Sequence, residues 1–408
     1  MRTSLLPRVA ATAGLTRQTH FPLFDGLRGL AATAVFFVHA AYQFAVTRPE
    51  EHEWYRFAIH GDVAVPIFFA ISGFLLYRPF VAARVKGRPM DVRKYAWRRF
   101  LRIVPGYWVA LALLTLYFQF PEVSSVPEYL WFMFFLQLYD PDTALRAVGQ
   151  AWTLNIEVTY YAFLPFWVWL MTRPKLSLRG ELLACVGLIG FAFSWQVVTL
   201  LATDVANYTS SSATLIRILP IQFDHLGAGM LLAVLSVWVQ QGRRLPGVDV
   251  VIRRPWIPWG LALGLWLVAC YAGRDGGRSS YQYTDMQFFA EHVIYTPFVF
   301  LLLLPAVFGD DRRDPIRRFL AWRPLAWVGV ISYSFYLYHF AVIVFQAHRW
   351  NEQGWGTVPN GGLEWLAWLV PAYLGTVLVG SIGFLLIEKP FMNLKYRTRS
   401  GAARGQQA

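Results

Sequence analysis

Two ionisable side chains interrupt the first long apolar run, FDGLRGLAATAVFFVHA: Arg28 near its start and His39 eleven positions later. At ~100° per residue that separation is roughly three full turns, so both side chains share one helix face. Another run opens WTLNIEVTYY and carries Glu157 about two turns in. A carboxylate beside an imidazole fixes its tautomer and raises its basicity, which is what a general base needs. His39 and Glu157 are therefore the candidate catalytic pair. The plainer readings are a structural buried bond between them, or a histidine bonded to a backbone carbonyl. In RRFLRIVPGYW, Arg99 and Arg102 stand three apart on one face, and guanidinium forks match phosphate oxygens; the alternative is ordinary anchoring of a basic loop. Asp224 and His225, placed near mid-depth of their run, and His339 within SYSFYLYH either line the same cavity or tie helices together. Ser72, beside Gly73 in FFAISGFLLYRPF, together with Tyr160 and Tyr336, completes the candidate lining, with close packing the simpler role at Ser72 and Gly73.

These groups are costly where they stand, because the elements that carry them read as membrane spans. Of 408 residues, 56% are hydrophobic and only 15% charged, and mean hydropathy is +0.39. A water-facing globule carries about 25% charge. Apolar runs of about 20 residues recur along the chain, the length that crosses a bilayer as a helix. Eleven segments lie near 26–46, 62–82, 101–120, 128–139, 151–172, 181–201, 214–240, 256–273, 287–308, 325–347 and 364–387. The fourth is too short to cross and reads as interfacial or re-entrant. The fold class is thus all-α: a polytopic helical bundle of about ten spans plus one short segment. It divides into a tail at 1–23, a transmembrane domain at 24–391 and a tail at 392–408.

Loop charge gives the orientation, since basic loops favour the cytoplasm. Residues 84–102 hold eight Lys or Arg, and further basic loops carry Arg173, Lys175 and Arg179, then Arg243, Arg244, Arg253 and Arg254, then Arg312, Arg313, Arg317, Arg318 and Arg323. If the fourth segment does not cross, all of these and both termini are cytoplasmic, while 47–61, 121–150, 202–213, 274–286 and 349–363 face out. His39 then lies roughly 20 Å from the inner side, and Glu157, entering from the other side, reaches a similar depth. The net charge of +13 is mainly this topology signal, with attraction to anionic headgroups. No basic folded domain suggests nucleic acid. Arg2, Arg8 and Arg17 precede no clean signal-peptide core and read as a short tail. Cys185 and Cys270 both sit in apolar runs, so neither a disulfide framework nor a metal site is expected.

Taken together and in order, these motifs resemble the membrane-bound acyltransferase-3 family, whose members O-acylate sugars, lipids and antibiotics. The resemblance rests on Arg28 and His39 with ten residues between them, FFAISGFLL, the R-x-x-R element as Arg99 and Arg102, and WTLNIEVTYY with Thr153 replacing the family's serine. ISYSFYLYHF and the closing IEKPF complete it. It implies an acyl-CoA donor, with acetyl-CoA the default, used from the cytoplasm as a substrate rather than as a bound cofactor. Arg99 and Arg102 would hold coenzyme A phosphates, with Arg28 at the inner mouth. The pantetheine arm, on the order of 20 Å, is comparable to the helix-rise distance to His39. His39 would be the base for the acceptor hydroxyl or briefly carry the acyl group, and Glu157 would orient it. Some members carry an extra hydrolase-like domain; here about twenty residues follow Glu388, so the acceptor is expected to reach the membrane site directly. That favours a glycolipid, a lipid-linked sugar or a small hydrophobic glycoside, in a multi-pass protein of a bacterial inner membrane.

Two rivals fit parts of the pattern. A glycolipid or acyl-donor transporter would use the same basic inner mouths and buried charges, but no internal repeat is evident. A polyprenyl-phosphate glycosyltransferase wants paired acids in the first outer loop; Glu50, Glu51 and Glu53 are there without a motif. The topology is open to direct test. Lys86→Cys should react with a membrane-impermeant thiol reagent only from the cytoplasmic face, and Gln353→Cys only from the outer face. The opposite pattern would reverse the orientation and every depth derived from it.

Overall fold

The computed structural model describes residues 21–45, 53–88, 91–117, 123, 125–140, 142–144, 146–172, 176–203, 214–272, 284–309, 314–353 and 362–394. Arg2, Arg8, Arg17, Glu50, Glu51, Arg173, Lys175, Arg312 and Arg313 lie outside them. The described residues are helical, with no strand among them: α1 (Leu23–Ala45), α2 (Glu53–Ile59), α3 (Ala64–Val85), α4 (Val92–Ala112), α5 (Val126–Met133), α6 (Trp152–Thr172), α7 (Leu178–Ala202), α8 (Phe223–Gln240), α9 (Val248–Arg253), α10 (Trp256–Ala272), α11 (Asp285–Val307), α12 (Pro315–Leu320), α13 (Arg323–Val330), α14 (Ser332–Glu352) and α15 (Gly362–Gly383).

Seven of the described helical segments are long and apolar enough to span a membrane, and eight if α13 and α14 count as one. Two expected spans fall outside that number for different reasons. Helix α10 is simply short, at 17 residues. Helix α6 has 21 residues, but its first turns carry Thr153, Asn155, Glu157, Thr159, Tyr160 and Tyr161, which lower its hydropathy. The expected fourth segment resolves into α5, eight residues long, or about 12 Å of rise against ~30 Å of hydrocarbon. Large apolar side chains on the outer surface, such as Leu201 at 83% and Leu386 at 71% exposure, are what a lipid-facing helix presents.

The chain forms two compact units. The described part of unit 1 falls within Met1–Tyr42, Arg48–Met90 and Phe166–Val330, and that of unit 2 within Gln43–Thr47, Asp91–Pro165 and Ile331–Ala408. Helix starts follow local chemistry: Asp91 accepts Lys94 N–H at 3.0 Å, Ser177 accepts Gly180 N–H at 3.2 Å, and Thr284 and Gln287 form a reciprocal capping box on α11. In unit 2, α5 ends where Phe135 takes φ 58°, and Asn155 of α6 donates to its carbonyl at 2.9 Å. Tyr107 and Trp108 of α4 donate to the Phe132 and Met133 carbonyls at 3.1 and 3.0 Å. These bonds satisfy the carbonyls that a short helix leaves open.

In unit 1, α3 and α8 approach backbone to backbone. A methyl on Gly73 would collide with the Leu226 carbonyl and one on Gly229 with the Ala70 carbonyl, so close packing is the role of the ISG segment. Gly26 of α1 likewise abuts the Leu320 backbone, which seats the helix bearing Arg28 and His39. Gly229→Val should therefore destabilise the protein by about 3 kcal/mol or more, measured by thermal melting in detergent. Gly264→Ala, with open space around it, should not; equal effects would refute this packing account.

Candidate functional site

Polar chemistry in unit 2 is built on α4, α6, α14 and the π-helical turn Phe384–Glu388 that follows α15. Glu157 projects from the second turn of α6, and Tyr161, one turn on, donates its hydroxyl to Glu157 Oε1 at 2.5 Å. The guanidinium of Arg99 lies over the Tyr161 ring, 5.9 Å from its centroid, a cation–π contact. Tyr95 on the preceding turn of α4 donates to the Tyr161 carbonyl at 3.4 Å. Arg99 Nε is buried and has no hydrogen-bond partner among the described residues. Tyr161 thus stands between a cation and a carboxylate, a connection that the Glu157–Tyr161 spacing of four could have signalled.

Arg102 is engaged differently. Its Nη1 lies 3.5 Å from Glu388 Oε2 and 3.0 Å from Met392 Sδ. Glu388 is buried, and its Oε1 accepts the Ser334 N–H at 3.0 Å and the Ser334 hydroxyl at 2.5 Å. The R-x-x-R pair therefore divides: Arg102 is the counter-charge of the IEKPF glutamate, while no carboxylate lies against Arg99 among the described residues. Tyr336 accepts from Thr153 at 2.8 Å and donates to the Gln150 carbonyl at 2.7 Å. Gln150 in turn donates to the Leu337 carbonyl at 2.8 Å. These bonds tie α14 to the start of α6. His339 is fully buried, its Nδ1 2.7 Å from the Tyr336 carbonyl and its ring stacked on Phe335. Tyr160 is fully buried on α6.

Unit 1 carries the remaining candidates. His39 Nδ1 donates to the Val35 carbonyl at 2.9 Å. That is the bond of a structural histidine, and it also has a chemical consequence. A carbonyl only accepts, so in the neutral ring the proton sits on Nδ1 and the basic lone pair on Nε2. Arg28 lies 3.7 Å from Asp25 one turn away, and Ser72 is half-buried on α3. His39 belongs to unit 1 and Glu157 to unit 2, so each is described by the neighbours of its own unit. Asp224 occupies the first turn of α8, which begins at Phe223 after the 3-10 turn Leu219–Gln222; the candidate span runs from Leu219 to Gln240. Pro220 opens the 3-10 turn and delays the α-helix. Both cysteines are unbridged and buried.

Several buried ionisable groups of unit 1 escaped sequence reasoning. Glu181 accepts from Tyr77 and pairs with Arg84. Arg84 also donates to the Leu176 carbonyl at 2.6 Å. Arg317 donates to the Pro305 and Phe308 carbonyls at 3.1 and 3.3 Å. His292 lies against Asp224 at 2.6 Å, and His60 lies 3.7 Å from Glu291. All were visible as residue types, but their partners are distant in sequence.

A family model described as an acyltransferase domain matches residues 22–385. Among curated proteins the chain is similar to the peptidoglycan O-acetyltransferase OatA of Listeria monocytogenes, 25% identical over 91% of this chain and 56% of that protein. It thus spans little more than half of that relative's length. It is also similar to nodulation protein 10 of Rhizobium leguminosarum (25% identical, 91% of this chain and 93% of that one). The acyltransferase MdmB of Streptomyces mycarofaciens is 26% identical, over 94% of each chain. No solved structure matches.

The division of labour between the arginines has a measurable signature. Arg102→Ala strands a buried carboxylate and should cost about 1–3 kcal/mol of stability. Arg99→Ala should cost well under half as much. Equal losses in thermal melts would mean that both arginines are structural.

Proposed function

The chain belongs to the acyltransferase-3 family, and from that premise we propose that it moves an acyl group, acetyl by default, from acyl-CoA to a hydroxyl of a cell-envelope carbohydrate or glycolipid. The observation that carries the donor half is Arg99, a cation with a buried N–H that meets no hydrogen-bond acceptor among the described residues. Such a group is poised for an anionic ligand, and the phosphates of coenzyme A are the anions of an acyl donor. None of the relatives' printed names specifies a donor, so the donor rests on this residue. The carbohydrate acceptor follows the printed name of OatA, which is a peptidoglycan O-acetyltransferase.

In this reading the acceptor hydroxyl loses its proton to His39 Nε2 as its oxygen attacks the thioester carbonyl. The carbon–sulfur bond breaks, and the departing thiolate takes the proton back from the imidazolium. Val35 holds the ring in the tautomer that makes Nε2 the base. Arg99 holds the donor phosphate, Arg102 contributes through its position beside Glu388, and Arg28 supplies charge at the inner mouth. Glu157 sets the Tyr161 hydroxyl, and through that ring the seat of Arg99. The ten-span count, cytoplasmic termini and inner-membrane location belong to the same proposal, supported by the basic loops.

Cells with and without the gene should differ by one base-labile acyl ester in their envelope glycans or lipids. His39→Ala should lower transfer by about 10²–10⁴-fold with the protein still folded. Arg99→Ala should weaken donor binding by at least about tenfold. Tyr161→Phe keeps the ring under Arg99 and should lower turnover more than it raises the donor KM, whereas Tyr161→Leu should raise both. Full activity in the His39 variant, or movement of unmodified lipid without thioester consumption, would contradict the proposal.

A further inference from the structure

Asp224, His225 and His292 are all buried, and one donor atom from each lies within 4.8 Å of the others. Asp224 is fully buried, yet among the described residues none of its partners is a lysine or arginine. Its Oδ2 accepts from His292 Nδ1 at 2.6 Å, from Thr296 Oγ1 at 3.2 Å and from Gln196 Nε2 at 3.2 Å. Its Oδ1 accepts the His225 backbone N–H at 2.7 Å. With both neighbouring imidazoles neutral the carboxylate would have no counter-charge, which is strongly unfavourable; the positive charge is either a proton on His292 or His225, 2.6 and 3.2 Å away, or a bound cation.

Two further atoms point to where that charge resides. His225 Nδ1 lies 3.0 Å from Gln222 Oε1, an acceptor, so the proton sits on Nδ1 and Nε2 carries a lone pair. That Nε2 is buried and has no hydrogen-bond partner among the described residues, and the same holds for Gln196 Oε1. The cluster therefore combines a carboxylate with two unmatched lone-pair acceptors, an electron-rich pocket in a helical bundle. Imidazole nitrogen, carboxylate and amide oxygen are the donor set of a borderline divalent cation. An amide oxygen that receives the second ring nitrogen of a ligand histidine is the usual supporting arrangement.

We propose that Asp224, His225 and His292 bind one divalent transition cation of the zinc class, with a glutamine amide oxygen as the additional ligand. The ligands come from α8 and α11, with Gln196 supplied by α7, so the cation fastens three helices of unit 1. Burial of every ligand makes this a closed, structural site. It is independent of the acyl-transfer reading, and its loss is expressed first as loss of stability.

The test uses the full-length protein, purified in detergent through a tag without histidines and analysed for metals by mass spectrometry. About one equivalent of zinc per chain should survive dialysis. A strong chelator should lower the melting temperature, and added Zn²⁺ should restore it. Cobalt substitution should give visible d–d absorption in the wild type, absent in His292→Ala. Asp224→Asn changes a fully buried group, so Thr296→Ala provides a milder variant, in which metal should be retained but lost at lower chelator concentration. Below a tenth of an equivalent after incubation with zinc, or a melting temperature indifferent to both chelator and metal, the proposal is overturned and the cluster is a hydrogen-bonded knot.

Discussion

An apolar span gives a carboxylate neither water nor counter-ion, so an acid inside these helices has to be met by another side chain. Glu388 shows how much structure follows from that requirement. Its two oxygens gather the start of α14 through Ser334 and the middle of α4 through Arg102. They are presented by a π-helical turn, the kind of local widening that recurs at functional positions. Remove the charge match and α4, α14 and the end of the chain lose their common reference point. Glu181 does the same for unit 1, where Tyr77 and Arg84 of α3 meet it on α7.

This constraint also sorts the arginines. A guanidinium already spoken for by a buried carboxylate serves the fold, and Arg102 is in that position. Arg99 has an aromatic ring beneath it and, among the described residues, no acid against it, and on this the proposed donor site rests. Two members of one R-x-x-R motif, on one face of one helix, thus have different partners because the elements packed against them differ. Tyr161 belongs to both sides of this arrangement, since its ring faces Arg99 and its hydroxyl faces Glu157.

The helices were legible because twenty-residue apolar runs have few other meanings in a chain this poor in charge. The shortness of the fourth segment was legible too, from the brief apolar run near 128–139, and α5 has eight residues. Helix α6 was read at 151–172 and found at Trp152–Thr172, although the polar residues of its first turns lower its hydropathy. Pairings were far less legible. Asp224 and His292 are 68 positions apart, and Arg102 and Glu388 sit at opposite ends of the domain. Motif order announced their presence without saying which of them meet. The Glu157–Tyr161 bond was within reach of helical periodicity, at a spacing of four.

The central claim is chemical: a thioester is consumed and an ester is made in a membrane whose helices supply the base and the anion site. It is tested most directly by reconstituting the purified protein in liposomes with envelope extract as acceptor and acetyl-CoA labelled in the acetyl group. The account predicts label in a hydroxylamine-sensitive ester on carbohydrate or glycolipid, with stoichiometric release of free coenzyme A thiol. Label that stays on coenzyme A while the protein is folded and acceptor is present would contradict it.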